Sequence, residues 1–533
     1  MRALRDRIGE SWIRKGEFLP IASFLVTVTR MNRVRRTSML LAYRMLTLWT
    51  KSGSRMATQY LKEAHRLVVA WMAKTPEIAA PREAAVVLVK RDSKGLPTII
   101  PTYLRKLILQ RDVRVIRLVL SILGLYRVIR APMNLKLRTI TDPGPDMDPQ
   151  VRSEVLGVMG LFFGHVRKYN SKFSWLFSVS AGPNQKHATR GSPYDAAAML
   201  LEPKVLGAFS AMAPWYVTAY MVVLGVFTYP IIVMNNEWKR ILPDGSVGGM
   251  PNHFQTARGD YRPLCLGRLA VKLEAAGKAR VFAITDWWTQ GLLFGLHQFL
   301  FSILKQIDQD GTFDQTRPLQ VLKDHVRLGG KVYSYDLSAA TDRLPVSIQI
   351  WVLHTFTGYQ YAESWKTLLV SRYWHQTGGL PLLYGAGQPM GAYSSWAILA
   401  LTHHVLVQVA AARAGWKEWF PFYALLGDDV VIAHERVANE YYSLITHLGV
   451  EINLSKSIIS EGGLIEFAKR LESPFVDYSP VSAKGLLAAF RNGLLLPALY
   501  RDMVSKNWQI LPYQILETLQ DVIPYYPKGA GQA

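Results

Sequence analysis

Two adjacent carboxylates, Asp428 and Asp429, stand between two apolar runs in FYALLGDDVVIAH, and few local structures accommodate that arrangement. Phe422–Leu426 and Val430–Ala433 are short and apolar enough to be strands, and Gly427 tolerates turn geometry. The segment therefore reads as a tight β-hairpin with its acidic pair at the tip. Neighbouring like charges repel unless a cation offsets them, and a divalent metal is the natural compensator. Gly-Asp is also a common dipeptide of ordinary exposed hairpin turns, so the hairpin alone decides nothing.

Two further segments change that balance. In KVYSYDLSAATDRLP the alternation over Val332–Asp336 predicts a strand with Val332, Ser334 and Asp336 on one face and Tyr333 and Tyr335 on the other. Asp336 closes that strand, where the sheet fixes a carboxylate that leans over its edge toward a ligand. Asp336 and Asp428 joined across a sheet can bridge two Mg²⁺ ions, or Mn²⁺, roughly 3.5–4 Å apart, one activating a ribose 3′-hydroxyl and the other steadying a leaving pyrophosphate. Asp429 is either a direct metal ligand or a group behind the ligands. The third segment, GAGQPMGAYSSWAILALTHHVLVQVAAARAG, is a loop with Gly385, Gly387 and Gly391 that runs into a long apolar helix stopping near Gly415. Small residues let backbone approach a ligand. Ser394 and Ser395 fall in the first helical turn, where their hydroxyls either contact a nucleotide ribose or cap the helix. His403 and His404 lie inside the apolar run, where packing or hydrogen bonding is expected rather than metal binding.

The chain has 533 residues, more than one hydrophobic core comfortably serves, so two or three subdomains are expected. Hydrophobic residues at 50% and charged residues at 19% exclude a disordered chain. A formal charge of +23 calls for a polyanion, with nucleic acid the first candidate and an anionic membrane surface the second. The lone Cys265 excludes intramolecular disulfides and multi-cysteine zinc sites, which fits an intracellular protein. From Met1 to about Arg55 the sequence is arginine-rich and acid-poor, which predicts a basic, solvated or RNA-facing helical extension. The uncharged run Val205–Met234 is the best membrane candidate, yet Pro214 and Pro230 divide it, so buried helix is the expectation. Ser192 and Pro193 are expected to be the N-cap and first residue of a helix through YDAAAMLLEPK.

In order along the chain, DLSAATDRLP, GQPMGAYSSW, LALTHH, LGDDVVIAH and FAKR resemble the palm motifs of mitoviral RNA-dependent RNA polymerases, and more distantly those of narnaviral and leviviral replicases. The resemblance covers about Arg262 to Gly485. It implies an α+β right-hand polymerase with an antiparallel palm sheet, mostly helical fingers and N-terminal extension, and a short thumb. The expected divisions are 1–190 (extension and fingers), 191–330 (fingers with a triphosphate-binding motif), 331–345 (palm), 346–384 (fingers insertion), 385–471 (palm with the GDD hairpin) and 472–533 (thumb and tail).

The resemblance also implies roles. RLAVKLEAAGKARVFAITD looks like the fingers motif, placing Lys272, Lys278 and Arg280 near an incoming triphosphate, where fixed cations stabilise developing charge. Asp342, with Ser394 and Ser395 and with Gly391 in the loop beside them, resembles the polar group that reads the ribose 2′-OH. Lys456 in LGVEINLSKS resembles a general acid that protonates pyrophosphate. Phe467, Lys469 and Arg470 in IEFAKRL fall where the family grips the nascent strand. The implied activity is synthesis of viral RNA on an RNA template from NTPs with Mg²⁺ or Mn²⁺, in a host mitochondrion. A reverse transcriptase or intron maturase shares the palm and its chemistry. A non-catalytic RNA-binding or membrane scaffold would explain the charge but leaves the separated carboxylates without a purpose.

Overall fold

The alternating strand Val332–Asp336 lies inside a four-stranded antiparallel sheet in the order Ile458–Ser460, Val332–Asp336, Asp429–Ile432, Tyr423–Leu426. The computed structural model describes residues 12–74, 87–133, 135–228, 264–327, 329–453 and 457–526, with the backbone of short strands between 231 and 262. Because successive side chains of a strand point to opposite faces, the sheet divides two cores. Tyr333, Tyr335, Val430 and Ile432 face the larger one. Val332, Ala424 and Val431 face a smaller one, closed by Leu319 and Leu322 of helix Arg317–Val326 and by Phe467.

The larger core is built around helix Ser395–Arg413, which is apolar all round and buried along nearly its whole length. Among the described residues it is the one helix long and apolar enough to cross a bilayer, and a helix without a polar face is at home in a protein interior. Gly415, at φ +96°, follows its end, as the sequence anticipates.

The N-terminal part is helical as expected but is not a free extension. Helices Phe18–Val28 and Arg35–Ala73 bury Phe18, Ile21, Phe24, Leu41 and Leu61 against helix Val113–Leu123 and against the C-terminal helices Ala483–Arg491 and Leu496–Ser505. The arginines obscured an apolar face at helical spacing. Arg30 and Arg491 complete the outer rim through ion pairs with Glu517 (2.6 Å) and Glu17 (2.7 Å). Arg117 crosses the inside of this unit, donating to the carbonyls of Ser479 (3.2 Å), Asn507 (3.0 Å) and Lys506 (2.5 Å). Arg2, Arg5 and Arg7 lie outside the described residues.

Two other expectations need correction. The helix expected to start at Pro193 spans Ala188–Leu200 and carries that proline inside it. Pro193 has no N–H for the carbonyl of Thr189, four residues back, and the Ser192 hydroxyl donates to that carbonyl instead, at 2.9 Å. The uncharged run forms helices Pro203–Met212 and Trp215–Thr228, broken at Pro214, and only one side of the second is buried.

Candidate active site

Asp336 and Asp429 are direct cross-strand partners. The Asp336 N–H donates to Ser457 Oγ (3.2 Å) and its carbonyl accepts from the Asn453 N–H (2.9 Å), both on the side away from Asp429. The pair is therefore of the non-hydrogen-bonded kind, in which Cα atoms approach to about 4.5 Å and side chains are closest. Asp428 sits exposed in the two-residue turn, next to half-buried Asp429. Gly427 makes that turn possible at φ +62°, and a Cβ there would meet the Trp396 ring at 3.2 Å.

The turn is held from beneath. His403 Nδ1 lies 2.8 Å from the Gly427 carbonyl, which can only accept, so Nδ1 carries the proton. Nε2 then accepts from the Tyr441 hydroxyl at 2.5 Å. Burial drives the His403 pKa down to about 4, so the ring is neutral in this role. Tyr441 in turn stacks on Tyr335, the neighbour of Asp336, with centroids 5.9 Å apart. One buried file of side chains thus links the Asp336 strand to the Gly427 turn. His404 faces the other way and fixes the base of the hairpin, contacting the Tyr423 hydroxyl (2.8 Å) and Asp310 Oδ2 (3.0 Å).

Glu466 is a carboxylate that the sequence reading passed over. Its N–H donates to Ser334 Oγ at 3.3 Å, on the face of the strand that also carries Asp336. Burial pushes its carboxyl up to about 7; Arg127 opposes this, and Asp429 and Asp336 add to it. Its one signal in the sequence is its place in IEFAKRL, beside Phe467 and ahead of Lys469 and Arg470.

Among the described residues no group of three or more His, Cys, Asp or Glu side chains is gathered to hold a metal by protein ligands alone. The donor set at the hairpin still suits a hard cation. It offers carboxylate oxygens in close register, and Mg²⁺ is commonly held by one or two carboxylates with substrate phosphates and water completing its shell.

The remaining predicted residues surround this edge unevenly. Lys272 and Arg280 face each other across the hairpin Gly267–Leu273/Ala279–Thr285, exposed, with Lys278 exposed near its turn. Arg280 also pairs with Glu274 at 3.3 Å. The base of this hairpin is bonded to the glycine-rich loop through the Ala283 N–H and the Met390 carbonyl (2.6 Å). Gly391, at φ +121°, presses so closely that a Cβ would lie 2.4 Å from the Ala283 oxygen. The loop reaches Asp342 through the Gly387 N–H, which donates to the Asp342 carbonyl at 2.9 Å. The Asp342 carboxylate accepts from the Thr139 hydroxyl at 2.9 Å, and burial raises its pKa.

Ser394 and Ser395 are buried and turned inward. Ser394 Oγ accepts from Trp365 Nε1 (2.9 Å), and Ser395 Oγ donates to the Pro389 carbonyl (2.9 Å). Phe467 is buried in the smaller core, and Arg470 is tied to Glu472 (2.7 Å) and the Ser505 carbonyl (2.6 Å). Lys469, at φ +67°, is exposed at the tip between strands Ile465–Phe467 and Arg470–Glu472. Lys456 lies outside the described residues.

The mitovirus RNA-dependent RNA polymerase family model matches residues 167–527. The chain belongs to that family. Its similarity to the RNA-directed RNA polymerase of Cryphonectria parasitica mitovirus 1 is 34% identity over 485 residues, 87% of this chain and 56% of that protein. The mitovirus-family chain thus spans little more than half the length of that relative. An uncharacterized mitochondrial protein of Arabidopsis thaliana is 43% identical over 208 residues, 36% of this chain and 78% of that one. The crystal structure of the RNA-dependent RNA polymerase of a human picorbirnavirus overlaps 51% of this mitovirus-family chain and 58% of its own, at 15% identity and a TM-score of 0.39, too loosely to build on.

Proposed function

We propose that the chain is the catalytic part of a viral RNA-dependent RNA polymerase, joining NTPs on an RNA template by two-metal nucleotidyl transfer. The observation that carries this reading is the cross-strand pairing of Asp336 with Asp429 at the Gly427 turn, in a chain of the mitovirus polymerase family. In right-hand terms the four-stranded sheet is the palm, the Lys272/Arg280 hairpin and the helices around Trp287–Leu304 are fingers, and the helices after Glu472 are a short thumb.

Asp336, Asp428 and Asp429 are the residues to hold Mg²⁺ or Mn²⁺, whose chemistry when bound is to activate the primer 3′-hydroxyl and neutralise the leaving pyrophosphate. Lys272, Lys278 and Arg280 present fixed cations to the triphosphate. Asp342, whose carboxylate accepts from the Thr139 hydroxyl, is the proposed reader of a ribose hydroxyl beside the glycine-rich loop. Ser394 and Ser395 serve it chiefly by fixing that loop, since their hydroxyls are already bonded inside. Lys469 attracts the nascent strand, Phe467 anchors its turn from within the core, and Arg470 ties it to helix Leu496–Ser505. Lys456 is the proposed proton donor to pyrophosphate. The mitochondrial compartment follows from the same family reading. A reverse transcriptase or a scaffold gains no support from family membership.

Primer extension by Asp428→Ala decides the matter. Synthesis should fall by at least ~10³-fold, because a ligand to the reacting metals is gone, while RNA binding, which draws on diffuse positive charge, stays near the parent value. Extension at an undiminished rate would remove the acidic hairpin from the mechanism. A preference for dNTPs over NTPs on the same RNA template would turn the reading toward reverse transcription.

A further inference from the structure

Helix Trp215–Thr228 contains no charged side chain, yet only Val217, Met221 and Gly225 are buried. Those three lie against helix Ala188–Leu200, closely enough that a Cβ on Gly225 would be 2.8 Å from Leu200 Cδ1. The opposite side presents Trp215 (81% exposed), Tyr220 (52%), Val223 (52%) and Phe227 (87%) to solvent. Segment 175–179 continues this face with Trp175 (56%) and Phe177 (87%), and the Trp175 and Tyr220 rings meet edge to face at 5.7 Å. Soluble monomers seldom expose so continuous an apolar surface without a use for it.

The rim is cationic. Lys172 precedes Trp175, and Lys186 and Arg190 flank the same segment, which is bonded to Thr189 (Ser178 N–H to Thr189 Oγ1, 2.7 Å) and to His187 (Nδ1 to the Val179 carbonyl, 2.9 Å). No acidic residue occurs between Glu154 and Asp195, and Asp195 is itself buried. An apolar aromatic centre with basic side chains at its edge complements the boundary between anionic headgroups and acyl chains. Single-stranded nucleic acid is a poorer match, because its platforms mix cations with rings along one groove, and this helix offers none. A span is excluded for the helix alone, since its 14 residues reach about 21 Å against a hydrocarbon core of ~30 Å.

We propose that this face seats the protein on an anionic lipid surface, in the plane of the interface and independently of the polymerase reading. Flotation of the full chain tests it, with vesicles of phosphatidylcholine alone against vesicles also containing phosphatidylglycerol. The chain should float with the anionic vesicles only. Trp215→Ser combined with Phe227→Ser should lower that partition by roughly tenfold or more, and Lys186→Gln combined with Arg190→Gln should lower it less and in a salt-dependent way. The substituted side chains are exposed, so melting temperatures should match the parent, which separates lost contact from lost fold. A parent chain that stays unbound, or a Trp215/Phe227 variant that floats like it, overturns the proposal. So does a variant that keeps flotation and loses RNA binding, which would assign the face to nucleic acid.

Discussion

Removing the His403 imidazole tests whether the Gly427 turn, catalytic in the proposed reading, depends on support from below. In His403→Ala the Gly427 carbonyl and the Tyr441 hydroxyl both lose their partner in a dry interior, and each orphaned group costs about 1–3 kcal/mol. In His403→Asn the side-chain amide takes the place of Nδ1 and restores a donor to Gly427. A turn released by even ~1 Å costs on the order of 10²-fold in rate. The kcat for primer extension, per folded molecule, should therefore fall ~10- to ~100-fold in the alanine variant and largely return in the asparagine variant. The KM for NTP and the affinity for RNA should hardly move. An alanine variant with parental kcat, or an asparagine variant no better than alanine, would reduce His403 to a space-filler. Acid adds a second readout. His403 ionises at about 4 when folded but near 6.5 when unfolded, so its contribution to stability is complete above pH 6.5 and fades as pH drops toward 4, by about 3 kcal/mol in all. The acid limb of the stability curve should flatten by roughly that amount in the asparagine variant.

Gly391→Ala should destabilise by more than ~2 kcal/mol, because its φ of +121° disfavours a side chain and the new Cβ would meet backbone oxygen. A variant that melts with the parent would show that the loop does not press on the Ala283 strand. Glu466 ionises at about 7 when folded, above its ordinary value of 4.5, so its contribution is whole below pH 4.5 and disappears as pH rises through 7. With divalent ions chelated, Glu466→Gln should be more stable than the parent at pH 8, by on the order of 1–3 kcal/mol, and should converge with it near pH 4.5. Equal melting at pH 8 would mean that the carboxyl is freely hydrated.

The acidic edge was legible because local signals coincide there. Alternation placed Asp336 at a strand end, Gly427 marked the turn, and the flanking apolar runs supplied the strands. The paired histidines were legible as packed groups for the same reason, since an uninterrupted apolar helix leaves them no water. What escaped depends on contacts between distant residues. Glu466 matters only because its strand crosses the one carrying Ser334. The N-terminal helices looked solvated because charge dominates their composition, whereas the apolar side chains at helical spacing find their partners hundreds of residues later. Pro193 misled because a serine hydroxyl replaces the amide that proline lacks, which no local rule announces.

Helix Phe18–Val28 is completed by helices that come more than 450 residues later, Ala483–Arg491 and Pro512–Val522. Phe24 waits for Phe490 and Tyr525, and Arg117 for the carbonyls of Ser479, Lys506 and Asn507. Contacts so remote in sequence form late in folding. Loss of either set of helices would leave the other with an uncovered apolar flank, so the two should unfold as one unit.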